Sequence, residues 1–128
     1  MRQRVSSGVR WEAEVGYSRA VRVGSHIFVS GTTATLPDGT IAGLGDEFVQ
    51  TQQALSNACG ALAQLGAAPR HVVRTRMYVT NIRNWEAVGR AHAEVFGDVR
   101  PATSMLQVAA LIDPNMLIEI ELDAIIDD

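Results

Sequence analysis

The residues of this 128-residue chain best suited to chemistry stand near its end, where Glu119, Glu121 and Asp123 alternate with apolar residues. Successive side chains of an extended strand point to opposite faces, so this spacing places the three carboxylates on one face and Ile118, Ile120, Leu122 and Ala124 on the other. Two readings of the acidic face stay open. It is either a solvated sheet face, or a face covered by other subunits in which Arg74 and Arg76 of an earlier strand pair with Glu119 and Glu121.

Other chemistries are limited by residue type. All eleven basic side chains are arginine, and without a lysine ammonium to deprotonate no lysine Schiff base can form. Cys59 is the only cysteine, which rules out an intrachain disulfide and a multi-cysteine zinc site and suits a reducing compartment. Within an apolar helical stretch it reads as a small core residue, because a reactive thiolate needs a positive, partly exposed setting. His26, His71 and His92 show no two-histidine spacing with a nearby carboxylate, so neither a metal nor a cofactor is expected.

The net charge of -3 and the scattered arginines offer no concentrated basic stripe for a phosphate backbone, and nucleic acid is not an expected partner. Met1 to Arg10 lacks the apolar core, roughly seven residues or more, of a secretory signal, and no later run approaches the ~18 apolar residues of a membrane span. The expected location is the cytoplasm, with no membrane association.

These residues need a scaffold, and the totals allow one. Hydrophobic residues are 47% and charged residues 20% of the chain, ordinary globular usage, and a chain of this length buries roughly two-thirds of its unfolded surface around one core. A single domain over residues 1–128 is expected. Ala20 to Gly31 contains two β-rich runs broken by Gly24-Ser25, the pattern of a tight hairpin. Pro37 to Gly45 reads as a loop.

From Asp46, Phe48, Leu55, Cys59, Leu62 and Leu65 recur at helical spacing, with Asp46 as N-cap and Gly66 as the stop. His71 to Thr80 alternates as a strand, with Val73, Thr75, Met77 and Val79 on one face and Val72, Arg74, Arg76 and Tyr78 on the other. Asn81 or Asn84 caps a second helix lined by Trp85, Val88, Ala91, His92, Val95 and Phe96 and ended by Gly97. Pro101 breaks the chain. Ser104 to Leu111 then reads as a strand joined through Asp113-Pro114-Asn115 to the acidic strand as a closing hairpin. Strands, helix, strand, helix, strands make an α+β fold, a mixed sheet with two helices on one face and the other face in need of cover from a symmetric oligomer.

From Gly16 to Ala124 the sequence resembles the YjgF/Rid superfamily, also labelled endoribonuclease L-PSP. The resemblance is carried in order by Gly16-Tyr17-Ser18-Arg19-Ala20, Val29-Ser30-Gly31, Pro37-Asp38-Gly39, Gln50 to Asn57, Leu62-Ala63-Gln64-Leu65-Gly66-Ala67, Val72 to Thr80, Pro101-Ala102-Thr103-Ser104 and Ile118-Glu119-Ile120-Glu121. It implies a chorismate-mutase-like fold and a homotrimer with a small-molecule cleft at each subunit boundary. It also implies that Tyr17, Ser30, Gly31 and Glu119 line that cleft, with Thr103, Ser104 and Met105 beside it.

The imine-hydrolysing branch of the superfamily carries Pro-Ala-Arg-Ser, whose arginine is thought to hold the substrate carboxylate. Here that position is Thr103. One neutral hydroxyl in place of a bidentate cation should cost carboxylate affinity on the order of a few kcal/mol. Arg100, three residues earlier, is expected to cap the helix end or sit on the surface instead of replacing that cation. Thr32 stands where many relatives have glutamine and Gly89 where they often have asparagine.

Glu119 is the candidate catalytic residue, a carboxylate able to orient and activate water, with pairing to Arg74 or Arg76 as the structural alternative. The implied function is hydrolysis of small imines, enamines or related carbonyl compounds less anionic than an amino-acid imine. The alternative is a non-catalytic ligand-binding or regulatory trimer. Ribonuclease activity, attached to the family by name, has no basic groove or histidine pair to support it.

Overall fold

The computed structural model describes residues Met1 to Asp128. Its largest helix, α2 (Glu47–Gln64), begins where the Asp46 side chain accepts a hydrogen bond from the Val49 amide at 3.1 Å. It ends at Gly66, whose φ of +84° lets the chain turn back so that the Ala67 amide reaches the Leu62 carbonyl at 3.0 Å. Between these points Thr51, Ala54, Leu55, Ala58, Ala61 and Leu62 are buried. The small alanines let the helix lie close to the sheet. Leu55 and Leu62 are fully buried, each contributing about 1.5–3 kcal/mol of transfer free energy.

The sheet contains β1 (Arg2–Val5), β2 (Ala20–Val23), β3 (His26–Thr32), β4 (Val72–Val79), β5 (Ala102–Gln107) and β6 (Ile118–Ile125), in the order β1-β2-β3-β6-β4-β5. Every neighbouring pair is antiparallel except β4 with β5. Helix α3 (Trp85–Phe96) forms the crossover between those two parallel strands and packs beside α2, while the short α1 (Arg10–Val15) joins β1 to β2. The β2–β3 hairpin turns at Gly24-Ser25, with Val23 opposite His26 and Gly24 at φ +60°. The main core is shared by the helices and by Ile118, Ile120 and Leu122, all fully buried.

Three expectations are corrected. The closing strands do not form a hairpin: β5 runs from Ala102 and pairs in parallel with β4, while β6 inserts between β3 and β4. The strand with the most aliphatic face thereby gains a neighbour on each side. Asp113 still makes its turn, accepting from the Asn115 amide at 2.8 Å, but that turn lies on a crossing from sheet edge to centre. In β4 the alternation holds from Arg74 to Val79 but slips at Val72-Val73. A register shift there buries Val72 and leaves Val73 exposed.

Trp85 is 55% exposed and does not line the core. The chain enters α3 through a 3-10 turn at Ile82–Asn84, capped by the Asn81 side chain, which accepts from the Arg83 amide at 3.1 Å. Finally, β1 and α1 lie in a segment whose sequence shows no clear periodicity.

Candidate functional site

The acidic face of β6 is built as its alternation requires, but its partners are displaced. In register, Arg74, Arg76 and Tyr78 of β4 lie opposite Asp123, Glu121 and Glu119. Each of the last two side chains reaches diagonally, one pair along: Arg76 meets Asp123 at 3.2 Å and the Tyr78 hydroxyl donates to Glu121 at 2.5 Å. Glu119, at the end of the row, is left without an ion pair. The expected pairing of Arg74 and Arg76 with Glu119 and Glu121 is therefore not what forms.

Glu119 lies against Gly31 at a break in the β3–β6 pairing between Val29 and Thr32. A Cβ at Gly31 would stand 2.5 Å from Glu119 Oε2, so the missing side chain is what makes room for the carboxylate. Burial, then the negative charge of Glu121, push the Glu119 pKa above the ordinary carboxylate value, and Arg19 offsets part of this.

Arg19 is the member of this cluster that sequence reasoning passed over. It is only 7% exposed. Its guanidinium donates to the Gly31 carbonyl at 2.7 Å, to Thr32 Oγ1 at 3.0 Å and to the Tyr17 hydroxyl at 3.2 Å. Nε lies 3.5 Å from Glu12 Oε2. Glu12 is buried, which raises its pKa, but hydrogen bonds from Ser7 and Ser6 and the charge of Arg19 prevail and hold it below the usual value. Arg19 thus braces Tyr17 and the β3 bulge through its two terminal nitrogens, while its buried Nε faces Glu12 of α1 without a hydrogen-bond partner. The one signal available in the sequence was an arginine at the entry of a strand that meets Ser30-Gly31, too local a clue to reveal partners on three segments.

Tyr17, Arg19, Gly31 and Glu119 line one cavity of about 820 Å³, with Trp11 of α1 and Asn57 of α2 on its walls. That volume suits a small organic ligand. Ser30 is not in the lining; its hydroxyl donates to the Ser18 carbonyl at 2.6 Å and ties β3 to the chain entering β2.

Thr103, Ser104 and Met105 sit elsewhere, on the edge strand β5, separated from β3 by β6 and β4. Thr103 is exposed and lies beside Thr75 of β4, with their hydroxyl oxygens 2.7 Å apart. The Thr103 hydroxyl also donates to the Pro101 carbonyl at 3.2 Å. Fully buried Thr75 meets His92 Nε2 of α3 at 2.9 Å. Burial lowers the His92 pKa, and the Phe96 ring packs 4.8 Å from its imidazole centroid. Ser104 lies opposite Arg76, while Met105 lies opposite Met77 and packs against the core. Arg100 caps α3, its Nε donating to the Gly97 carbonyl at 3.1 Å. Cys59 is half-buried, and burial pushes its thiol pKa up.

Residues 7–126 match the family model described as Endoribonuclease L-PSP. The crystal structure of a Mycobacterium tuberculosis protein of the YjgF/YER057c/UK114 family superposes with a TM-score of 0.91 at 49% identity, over 98% of this chain and 100% of that one. This chain belongs to that family. Within the YjgF/YER057c/UK114 family it is also 42% identical over 122 residues to an uncharacterized Streptomyces coelicolor protein, covering 95% of this chain and 90% of that protein. It is 34% identical over 106 residues to Reactive Intermediate Deaminase A, chloroplastic, of Arabidopsis thaliana, covering 82% of this chain and 56% of that protein. The mixed α+β fold expected from the sequence is the fold of the family. No helix of the chain is long and apolar enough to cross a membrane.

Proposed function

We propose that this chain hydrolyses small imines or enamines lacking a carboxylate, in a cleft at the subunit boundary of a cytoplasmic homotrimer. Glu119 is the observation that carries the reading: a half-buried carboxylate with no ion pair, its pKa raised, on the wall of a ligand-sized cavity. A raised pKa brings a carboxylate nearer the operating pH, where general base catalysis is most effective. Water bound to Glu119 gives up a proton to the carboxylate as its oxygen attacks the imine carbon. Glu119 returns that proton to the nitrogen, and as the carbon–nitrogen bond breaks the hydroxyl of the addition product gives up water's second proton to the departing nitrogen, so that imine and water become carbonyl compound and ammonia. The Tyr17 hydroxyl, held by Arg19, lines the same cavity.

Phe28 is 49% and Leu106 55% exposed. They lie opposite Asp123 and Tyr78, on the acidic face of the sheet, which supports a face covered by other copies. Among the groups lining the cavity, Asp38, Asp113 and Glu119 outnumber Arg10 and Arg19, a balance that suits neither an RNA backbone nor a carboxylate substrate.

The test is hydrolysis of imines generated in place by an amine oxidase and by an amino-acid oxidase, followed with and without the protein. Acceleration confined to, or stronger for, the uncharged imines supports the reading. No acceleration of either overturns it in favour of a ligand-binding or regulatory trimer. A solution mass near 13.8 kDa, instead of three times that value, would remove the shared cleft.

A further inference from the structure

Helix α1 buries a single residue, and that residue is charged. Of Arg10–Val15 only Glu12 is buried. Val15 is 69% exposed, and Trp11 is partly exposed, with the Arg10 guanidinium 4.1 Å over its ring. No side chain caps the start of the helix at Val9, and a helix of this length does not hold itself in water. What docks it is the Glu12 carboxylate. It accepts from the Ser6 hydroxyl at 2.8 Å and from the amide and hydroxyl of Ser7, and it faces Nε of buried Arg19 at 3.5 Å. That Nε has no hydrogen-bond partner, so the tie is one of charge against charge, which a buried guanidinium requires.

The terminal nitrogens of Arg19 go to neutral acceptors: the Gly31 carbonyl, Thr32 Oγ1 and the Tyr17 hydroxyl. Gly31 is also the residue against which Glu119 stands. A buried arginine and a carboxylate thus share one neighbour and one cavity without forming an ion pair. We infer that Glu12 and Arg19 are positioning residues: Arg19 holds Tyr17 and the β3 bulge, and Glu12, delivered by α1, keeps the guanidinium charge from being spent on Glu119. This rests on the proposed hydrolysis, in which Glu119 must stay free to take a proton from water. Undocking of α1 would release Arg19 to pair with the base.

The other groups facing Glu119 are Glu121 on its own strand, Tyr78 opposite on β4, with Arg76 engaged by Asp123, and Tyr17 from the β3 side. Arg10, Asp38 and Asp113 line the rest of the cavity. Burial and then Glu121 raise the Glu119 pKa, and Arg19 opposes them. Burial also raises the Glu12 pKa, but the hydrogen bonds from Ser7 and Ser6 and the charge of Arg19 hold it below its ordinary value, so Glu12 is a counter-ion at neutral pH.

NMR titration of the Glu119 carboxyl in the full-length protein reads the effect without any substrate. Glu12→Gln leaves the Arg19 charge uncompensated and should lower the Glu119 midpoint by about one pH unit. Glu12→Asp, which keeps the charge, should lower it less, and Glu12→Gln combined with Arg19→Gln should return it toward the wild-type value. A midpoint that Glu12→Gln leaves in place or raises overturns the inference, as does a double variant that falls as far as the single one. Should Glu12→Gln fail to fold, Arg19→Gln carries the test in the opposite direction: the midpoint should rise, and an unchanged one overturns the inference. The pH profile of kcat/KM for an uncharged imine should move with the titration, with turnover at neutral pH severalfold lower in Glu12→Gln. A merely structural Glu12 would lower the rate without moving the midpoint. If no imine is turned over, the proposed hydrolysis fails, and the titration alone decides the inference.

Discussion

The two faces of β6 share one backbone and have opposite characters. On the helix side Ile118, Ile120 and Leu122 are sealed from solvent and interchangeable in kind. On the other side Glu119, Glu121 and Asp123 are each half-buried, yet no two have the same partner: Arg76 for Asp123, Tyr78 for Glu121, no ion pair for Glu119. Apolar packing is non-directional, so the aliphatic face needs only volume and burial. Polar pairing depends on direction, and a diagonal reach of one residue pair leaves the last carboxylate over. The group best placed for chemistry is the one the sheet did not neutralise.

Breaking the aliphatic face should have the largest effect on stability. Ile120→Ala should cost about 2–5 kcal/mol in urea unfolding, and a loss well below that would mean that β6 is not central to the core. On the acidic face Glu119→Gln should leave the unfolding midpoint nearly unchanged at low pH, where Glu119 is protonated, but lower imine turnover at neutral pH roughly 100-fold or more. Equal turnover would remove Glu119 from the mechanism. Gly31→Ala probes the same carboxylate from its neighbour. The added methyl displaces Glu119, so turnover should fall by about tenfold or more, with less loss of stability than Ile120→Ala.

The comparison sharpens with pH. Glu119 carries a folded-state pKa above its ordinary 4.5, chiefly through burial. The base form therefore develops only above that value, and turnover should rise with pH through a midpoint higher than an exposed glutamate would give. The stability term has the opposite sign. It is fully present below the unfolded pKa and lost as pH rises through the raised folded one. Unfolding measured across that range in wild type and Glu119→Gln should show the decline only in wild type. The smallest effect is expected from Tyr78→Phe, which removes the bond to Glu121 at a cost of about 0.5–1.5 kcal/mol; an unchanged turnover would show that Glu121 does not act on Glu119 through this bond.

Much of the fold was legible because it depends on neighbours in the chain. The helix from Asp46 to Gly66, the Gly24-Ser25 hairpin and the alternation of the acidic strand each follow from capping, turn or pleat geometry within a few residues. The closing strands misled for the same reason: good turn chemistry at Asp113-Pro114-Asn115 suggests a hairpin, whereas the chain crosses from edge to centre. Of the nominated site residues, Tyr17, Gly31 and Glu119 come together at one cavity. Ser30 braces the strand beside them, and Thr103, Ser104 and Met105 occupy the far edge. Arg19 escaped notice because its role is defined only by contacts with Glu12, Tyr17, Gly31 and Thr32 together.

From sequence alone came the family, the α+β class and the one-sided row of carboxylates, since period-two alternation and ordered motifs are properties of the chain itself. Only the tertiary structure decided that β6 sits at the centre and that Glu119 is the carboxylate left over. Those outcomes depend on which strands become neighbours and on the last donor or acceptor available to each group, and both are settled by residues far apart in sequence.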